Sequence, residues 1–144
     1  MIGDDNNRYL GIIDEGGRRK PAFFALRLYT RLFSALTRLA SADAPEPRAG
    51  GSDRRVYVFE TKPGDAIVVG WLRSRTRGEV ADASGRARDE RLERARVHLP
   101  GAYHAMTTYD VEGRVLTAVC DVIGPDLEGI ELRGDRVFIA TLGR

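Results

Sequence analysis

Apolar residues recur along this chain with two periods, and the change from one to the other falls near residue 40. From Pro21 onward, Ala25, Leu28, Leu32, Ala35, Leu36 and Leu39 keep the three-and-four spacing of one helix face. Phe24, Tyr29 and Phe33 widen that face, while Arg27, Arg31, Ser34 and Arg38 form the opposite, wet stripe. Pro21 suits a first helical turn, where its missing N–H costs nothing. The pattern predicts an amphipathic helix over 21–39, about five turns long. With so many large apolar side chains it is not stable alone in water and needs a surface to pack on.

Residues 40–54, ASADAPEPRAGGSDR, are small, proline-bearing and glycine-bearing, and read as a linker. Beyond them the period becomes two. RRVYVFE predicts a strand over 55–60, and AIVVGWLR a returning strand over 66–73. Pro63-Gly64 between them is placed at the centre of a tight, type II turn, which makes the pair a hairpin. Residues 76–95 are charged and poor in apolar side chains, predicting a short strand and a loop, with RARDERLERA forming at most two exposed helical turns. Segments 96–100, 103–111, 114–120, 129–133 and 136–142 read as further strands. Glu112-Gly113 and Gly134-Asp135 mark turns between them. Seven to eight short strands at this spacing predict a mainly β chain, an antiparallel β-sandwich preceded by a helix and a linker.

Composition narrows the function classes. The 144 residues carry 23 basic and 21 acidic side chains, a net charge of only +2. All the basic residues except Lys20 and Lys62 are arginine, and they do not cluster, so a nucleic-acid partner is not expected. No run of about 18 apolar residues occurs, so no membrane span is expected. The polar, acidic MIGDDNNRYL is unlike a signal peptide, which predicts a soluble protein, cytoplasmic if Met1 is the native start. The single cysteine, Cys120, cannot make an internal disulfide. Its setting in VLTAVCDV predicts a buried, inert thiol.

Candidate chemistry is sparse. Asp14 and Glu15 are adjacent, so they point in different directions rather than at one bond, and read as turn residues and dipole partners of the helix. Asp4, Asp5, Asn6 and Asn7 suit a frayed end, though βα-loops at the top of a barrel use such residues. His98 and His104 sit on separate strand-like segments with no third ligand at metal spacing, and read as outward strand positions. Trp71 shares its alternating face with Val69 and reads as sandwich core, the alternative being a sugar-stacking platform; Tyr57, Tyr103 and Tyr109 carry the same choice. Gly64, Gly113 and Gly134 read as turn glycines, with no phosphate-cradling pattern. No catalytic, cofactor-binding or metal-binding residue is assigned.

One stretch carries a resemblance. GIIDEGGRRKPAFFALRLYTRLF, with Gly11, the Asp14-Glu15-Gly16-Gly17 turn, Lys20-Pro21-Ala22 and Phe23-Phe24, resembles the last βα-loop and final helix of retaining (β/α)8-barrel glycoside hydrolases of the cellulase/β-xylosidase-like clan. Such enzymes often carry a small C-terminal β-sandwich after that helix. VHLPGAYHAMTTYDVEGRVL and GIELRGDRVFIATL are similar to its strands. The resemblance implies three parts: residues 1–39 as loop and final helix of a barrel otherwise absent, 40–54 as linker, and 55–144 as sandwich. It implies a non-catalytic portion that packs on and stabilises the barrel of a protein hydrolysing O-glycosidic bonds. The paired glutamates of such enzymes, about 5 Å apart for retention, have no counterpart in this sequence. The implied partner is that barrel, with an oligosaccharide as a further ligand and self-association through the helix if its apolar stripe stays open. The alternative is a self-standing β-sandwich that binds carbohydrate or protein, its helix folded back on the sandwich or paired with another copy.

Overall fold

The computed structural model describes residues 12–13, 16–44, 53–73, 91–134 and 136–144. Among them stand one helix, α1 (Pro21–Phe33), and eight strands: β1 (Leu36–Asp43), β2 (Arg54–Thr61), β3 (Ala66–Leu72), β4 (Leu92–His98), β5 (Ala105–Tyr109), β6 (Val115–Val119), β7 (Asp126–Arg133) and β8 (Phe138–Gly143). Every pairing is antiparallel. Six strands form one sheet in the order β1-β2-β3-β8-β5-β6, and β4 and β7 form a second. The chain is a mainly β, antiparallel sandwich with one helix laid on its larger sheet.

The hairpin of β2 and β3 shows why these segments fold as strands. Their register sets Val56 opposite Gly70 and Val58 opposite Val68, so one alternating set faces the small sheet. Val56, Val58, Val68 and Leu72 there meet Ala95 and Val97 of β4 and Ile130 and Leu132 of β7 in the buried core. The other alternating set, Tyr57, Phe59, Val69 and Trp71, faces α1. Both faces are covered, and that is why the two strands read as nearly unbroken apolar runs. Gly70 sits where the sheets approach closely: a Cβ there would lie 2.7 Å from Leu132 Cδ2. The turn differs from the expected type II arrangement. Thr61 N–H bonds Asp65 O and Gly64 N–H bonds Thr61 O. Three residues, Lys62, Pro63 and Gly64, therefore make the loop, with Gly64 last at φ +89° rather than central.

Three sequence expectations need correction. The helix expected over 21–39 ends at Phe33, and Leu36–Asp43, taken as helix and linker, is the edge strand β1. Leu36 and Leu39 keep helical spacing by coincidence; pairing with β2, far along the chain, outweighs it. Residues 40–43 of the expected linker are thus strand, and residues 45–52 lie outside the described residues. Leu92–Ala95, read as part of a helical turn, open β4, where each is paired with β7. The expected short strand after residue 76 also lies outside the described residues.

The second sheet covers the first only in part. β4 packs over β1 and β2, and β7 over β3 and β8, which leaves the β5–β6 end of the sandwich open. Val115 and Leu116 of β6 are accordingly 59% and 58% exposed. Cys120, just beyond β6, is exposed as well, against the expectation of a buried thiol. The apolar run around it belongs to an edge strand that neither strand of the second sheet covers among the described residues.

Candidate functional site

Each titratable cluster among the described residues was a candidate for chemistry, and its geometry decides what it can do. On the outer face of the small sheet, Asp126 accepts from Arg96 Nη2 at 3.0 Å and meets His98 Nδ1 at 3.2 Å. Glu128 pairs with Arg96 Nη1 at 3.3 Å. The hydrogen bond from Arg96, and then that from His98, holds the Asp126 carboxyl below the usual carboxylate range. A second acidic pair, Asp110 and Glu112 in the β5–β6 turn, is bridged by Arg114 at 2.6 and 3.1 Å. The Arg114 hydrogen bond likewise lowers Asp110. A glycosidase acid needs the opposite, a carboxyl raised by burial beside a second, ionised one. Neither pair meets that requirement.

Ser41, His98 and Asp126 converge in a way that invites comparison with a nucleophilic triad. The Ser41 hydroxyl, however, donates to the main-chain carbonyl of His98, not to its ring. A nucleophile must be hydrogen-bonded to its base, so the grouping is structural. His98 is an exposed position on β4, as the sequence reading has it, while His104 is exposed but lies in the bend just before β5 rather than on a strand. Among the described residues no three His, Cys, Asp or Glu side chains stand close enough to hold a metal ion. Asp14, Glu15 and residues 4–7 lie outside the described residues.

The aromatic residues separate into distinct settings. Tyr103 is core: it is fully buried, and its hydroxyl makes no close hydrogen bond among the described residues. Burial pushes its phenol upward, opposed by the Arg144 guanidinium, which lies 5.8 Å over the ring. Tyr109 bridges to Thr141 by a long 3.4 Å contact, and Arg31 of α1 lies 5.5 Å above it. Trp71 and Tyr57 stack at 5.4 Å, and Phe33 of α1 meets Phe59 edge-on at 5.2 Å.

Trp71 and Tyr57 are therefore half-buried beneath the helix rather than presented to solvent. They line a space of about 380 Å³ between α1 and the large sheet, with Val69, Ile139, Leu28 and Leu32 among its other walls. A sugar platform pairs an aromatic face with several convergent hydrogen-bonding groups. Among the described lining residues, the polar side-chain groups are the tyrosine hydroxyls and the indole N–H. Sequence alternation placed Val69 and Trp71 on one face; only the tertiary position of α1 reveals what covers them.

A larger cleft of about 510 Å³ opens where the small sheet stops short. Met106, Leu116, Leu127 and Phe138 form its apolar floor, and Glu128, Glu131, Arg133 and Arg136 its rim. The rim residues are spoken for: Arg94 reaches Glu131, and Arg96 reaches Glu128. Nothing in the sequence pattern pointed to this cleft, because it arises from unequal sheet widths.

No family model matches the chain, and no curated protein matches it. Solved structures do share its shape. A protein from Bacillus halodurans C-125, named a candidate alpha-N-acetylgalactosaminidase, superposes on 90% of this chain with a TM-score of 0.52 and 12% identity. The match occupies 25% of that protein, so this chain spans about a quarter of its length. A GH27 β-L-arabinopyranosidase from Geobacillus stearothermophilus matches 75% of this chain and 20% of its own at 14% identity, with a TM-score of 0.35. The first likeness concerns fold alone. No described helix is long and apolar enough to cross a membrane.

Proposed function

We propose that this chain is the non-catalytic C-terminal portion of a glycoside hydrolase-like protein, whose sandwich packs on and stabilises a (β/α)8 catalytic barrel not contained in these residues. The observation that carries the reading is that nine-tenths of the chain finds its fold as one quarter of a much longer protein named for glycosidase chemistry. The likeness of Lys20-Pro21-Ala22-Phe23-Phe24 to the final barrel helix supports it independently. So does the helix itself. Its Leu28 stripe is buried on this chain's own sheet, yet Leu26 on another side is about half exposed, and Ile12 and Ile13 ahead of the helix are exposed as well. A helix apolar on two sides suits burial between two bodies.

The parent activity in this reading is hydrolysis of an O-glycosidic bond. The sequence resemblance points to the cellulase/β-xylosidase-like clan, while the fold neighbour is named for a galactosaminide; the bond class is common to both. Residues up to Phe33 belong to the barrel side and those from β1 onward to the sandwich, with oligosaccharide met only at the cleft between them. The purified 144-residue chain should turn over no member of a panel of aryl glycosides. Turnover by it overturns the reading.

One observation favours a second reading. α1 lies on this chain's own sheet, through Phe33 on Phe59 and Leu28 beside Gly113. A self-standing carbohydrate- or protein-binding module would need such a fold-back. Titration with oligosaccharides followed by Trp71 fluorescence separates the two: a saturable change supports the module, and no change supports the accessory portion.

A further inference from the structure

The space beneath α1 is held open by the way the helix is seated. Leu28 rests on the β5–β6 turn, its Cδ1 3.5 Å from where a Gly113 Cβ would stand. Phe33, five residues on, meets Phe59 edge-on at 5.2 Å. Arg31, between them, extends over the Tyr109 ring. These contacts prop the helix above the sheet rather than letting it sink between the side chains, and Leu28 is the one fully buried residue on it.

What is left is a half-open groove of about 380 Å³ between apolar and aromatic groups of helix and sheet, with no charged side chain among the described lining residues. Protein interiors pack as densely as organic crystals, and an apolar cavity of about 150 Å³ already takes up benzene or xenon. The volume falls in the range of small-molecule sites, which begins at about 300 Å³. Its floor is the Tyr57–Trp71 stack, two rings tilted by only 27°, and the smallest side chain of the helix wall is Ala25.

We propose that this space is a binding site for a flat, uncharged, aromatic small molecule of two or three rings. The occupant lies on the Tyr57–Trp71 stack and under Ala25. The described lining carries no charged side chain to pair with an anion or a cation, which favours an uncharged occupant. Scarcity of hydrogen-bonding groups excludes a polyol such as a free sugar. The site is independent of the proposed glycosidase relationship, and holds whether the helix contacts a barrel or not.

Trp71 is the sole tryptophan and lies in the floor, so the site carries its own reporter. The test uses the full 144-residue chain and N-phenyl-1-naphthylamine, an uncharged aromatic dye that accepts energy from tryptophan. Saturable, one-to-one sensitised emission is expected. Ala25→Phe, and separately Ile139→Phe from the sheet wall, should fill the space and weaken binding by about tenfold or more. Leu26→Ala, on the exposed side of the helix, should leave binding unchanged. Two filling variants on opposite walls keep the test valid if circular dichroism shows that one of them does not fold. Emission that rises without saturating, or that persists undiminished in a folded filling variant, overturns the proposal. So does equal loss in Leu26→Ala, which would place the dye on the outer surface.

Discussion

Replacing Asp53 with alanine removes a carboxylate that ties three chain segments together just before β2. Asp53 is only 4% exposed. Its Oδ2 accepts from Arg91 Nη1 at 2.8 Å, and its Oδ1 faces Arg73 Nη2 at 3.7 Å. Its own carbonyl accepts from the Arg73 N–H at 2.8 Å, and Arg91 also donates to the Arg73 carbonyl. The end of β3 and the start of β4, on either side of residues 74–90, are thus clamped through one buried anion. Removing one partner of a fully buried pair costs about 3–5 kcal/mol. Here Arg91 and Arg73 are 29% and 46% exposed at their side chains, so water takes over part of their solvation. The loss then falls to that of a charge-assisted hydrogen bond, about 2 kcal/mol. For a chain of this size that lowers the thermal midpoint by roughly 4–8 °C. The assay is thermal unfolding followed by circular dichroism, with Arg94→Ala as the control. Arg94 and Glu131 are 3.7 Å apart and 74% and 55% exposed, a pair expected to contribute within about 0.5 kcal/mol. An Asp53→Ala midpoint as little changed as that of the control would refute the clamp.

Leu132→Ala should cost about 2–5 kcal/mol in denaturant unfolding, because Leu132 is buried between the two sheets, against Gly70; a loss under about 1 kcal/mol would mean the sheets are not so packed. Cys120 should react with a disulfide reagent in the folded protein as fast as in denaturant, and strong protection would contradict its exposure. Asp126 and Asp110 have folded-state pKa values depressed by Arg96 and Arg114, so their contribution to stability is present above the unfolded carboxylate pKa and is lost as pH falls through the folded one. Asp126→Asn should therefore flatten the decline of the thermal midpoint below about pH 4, and an unchanged slope would count against the pairing.

The parts of the fold legible in the sequence are those whose signals are local. Alternation over residues 54–61 and 66–72, with Pro63-Gly64 between, marked the first hairpin, and the turns at Gly113 and Gly134 marked later strand ends. The helix start at Pro21 was equally plain. Its end was not. Leu36 and Leu39 extend the helical spacing, and only pairing with β2 converts that stretch to strand. Cys120 was misplaced for a related reason: an apolar run says that a strand exists, not which edge of a sheet it takes. The space beneath α1 and the cleft beside β6 depend on how layers are offset, which no window of sequence encodes. What the chain attaches to was reached through resemblance instead.

The central claim, that these residues complete a barrel encoded alongside them, is tested most directly by sequencing the DNA upstream of the Met1 codon in frame, for about 250–300 codons, the length of a barrel. The account predicts an open frame with eight alternating strand and helix patterns and two glutamates at strand ends. A stop codon just before Met1, with its own promoter and ribosome-binding site, would contradict it and leave the self-standing module in its place.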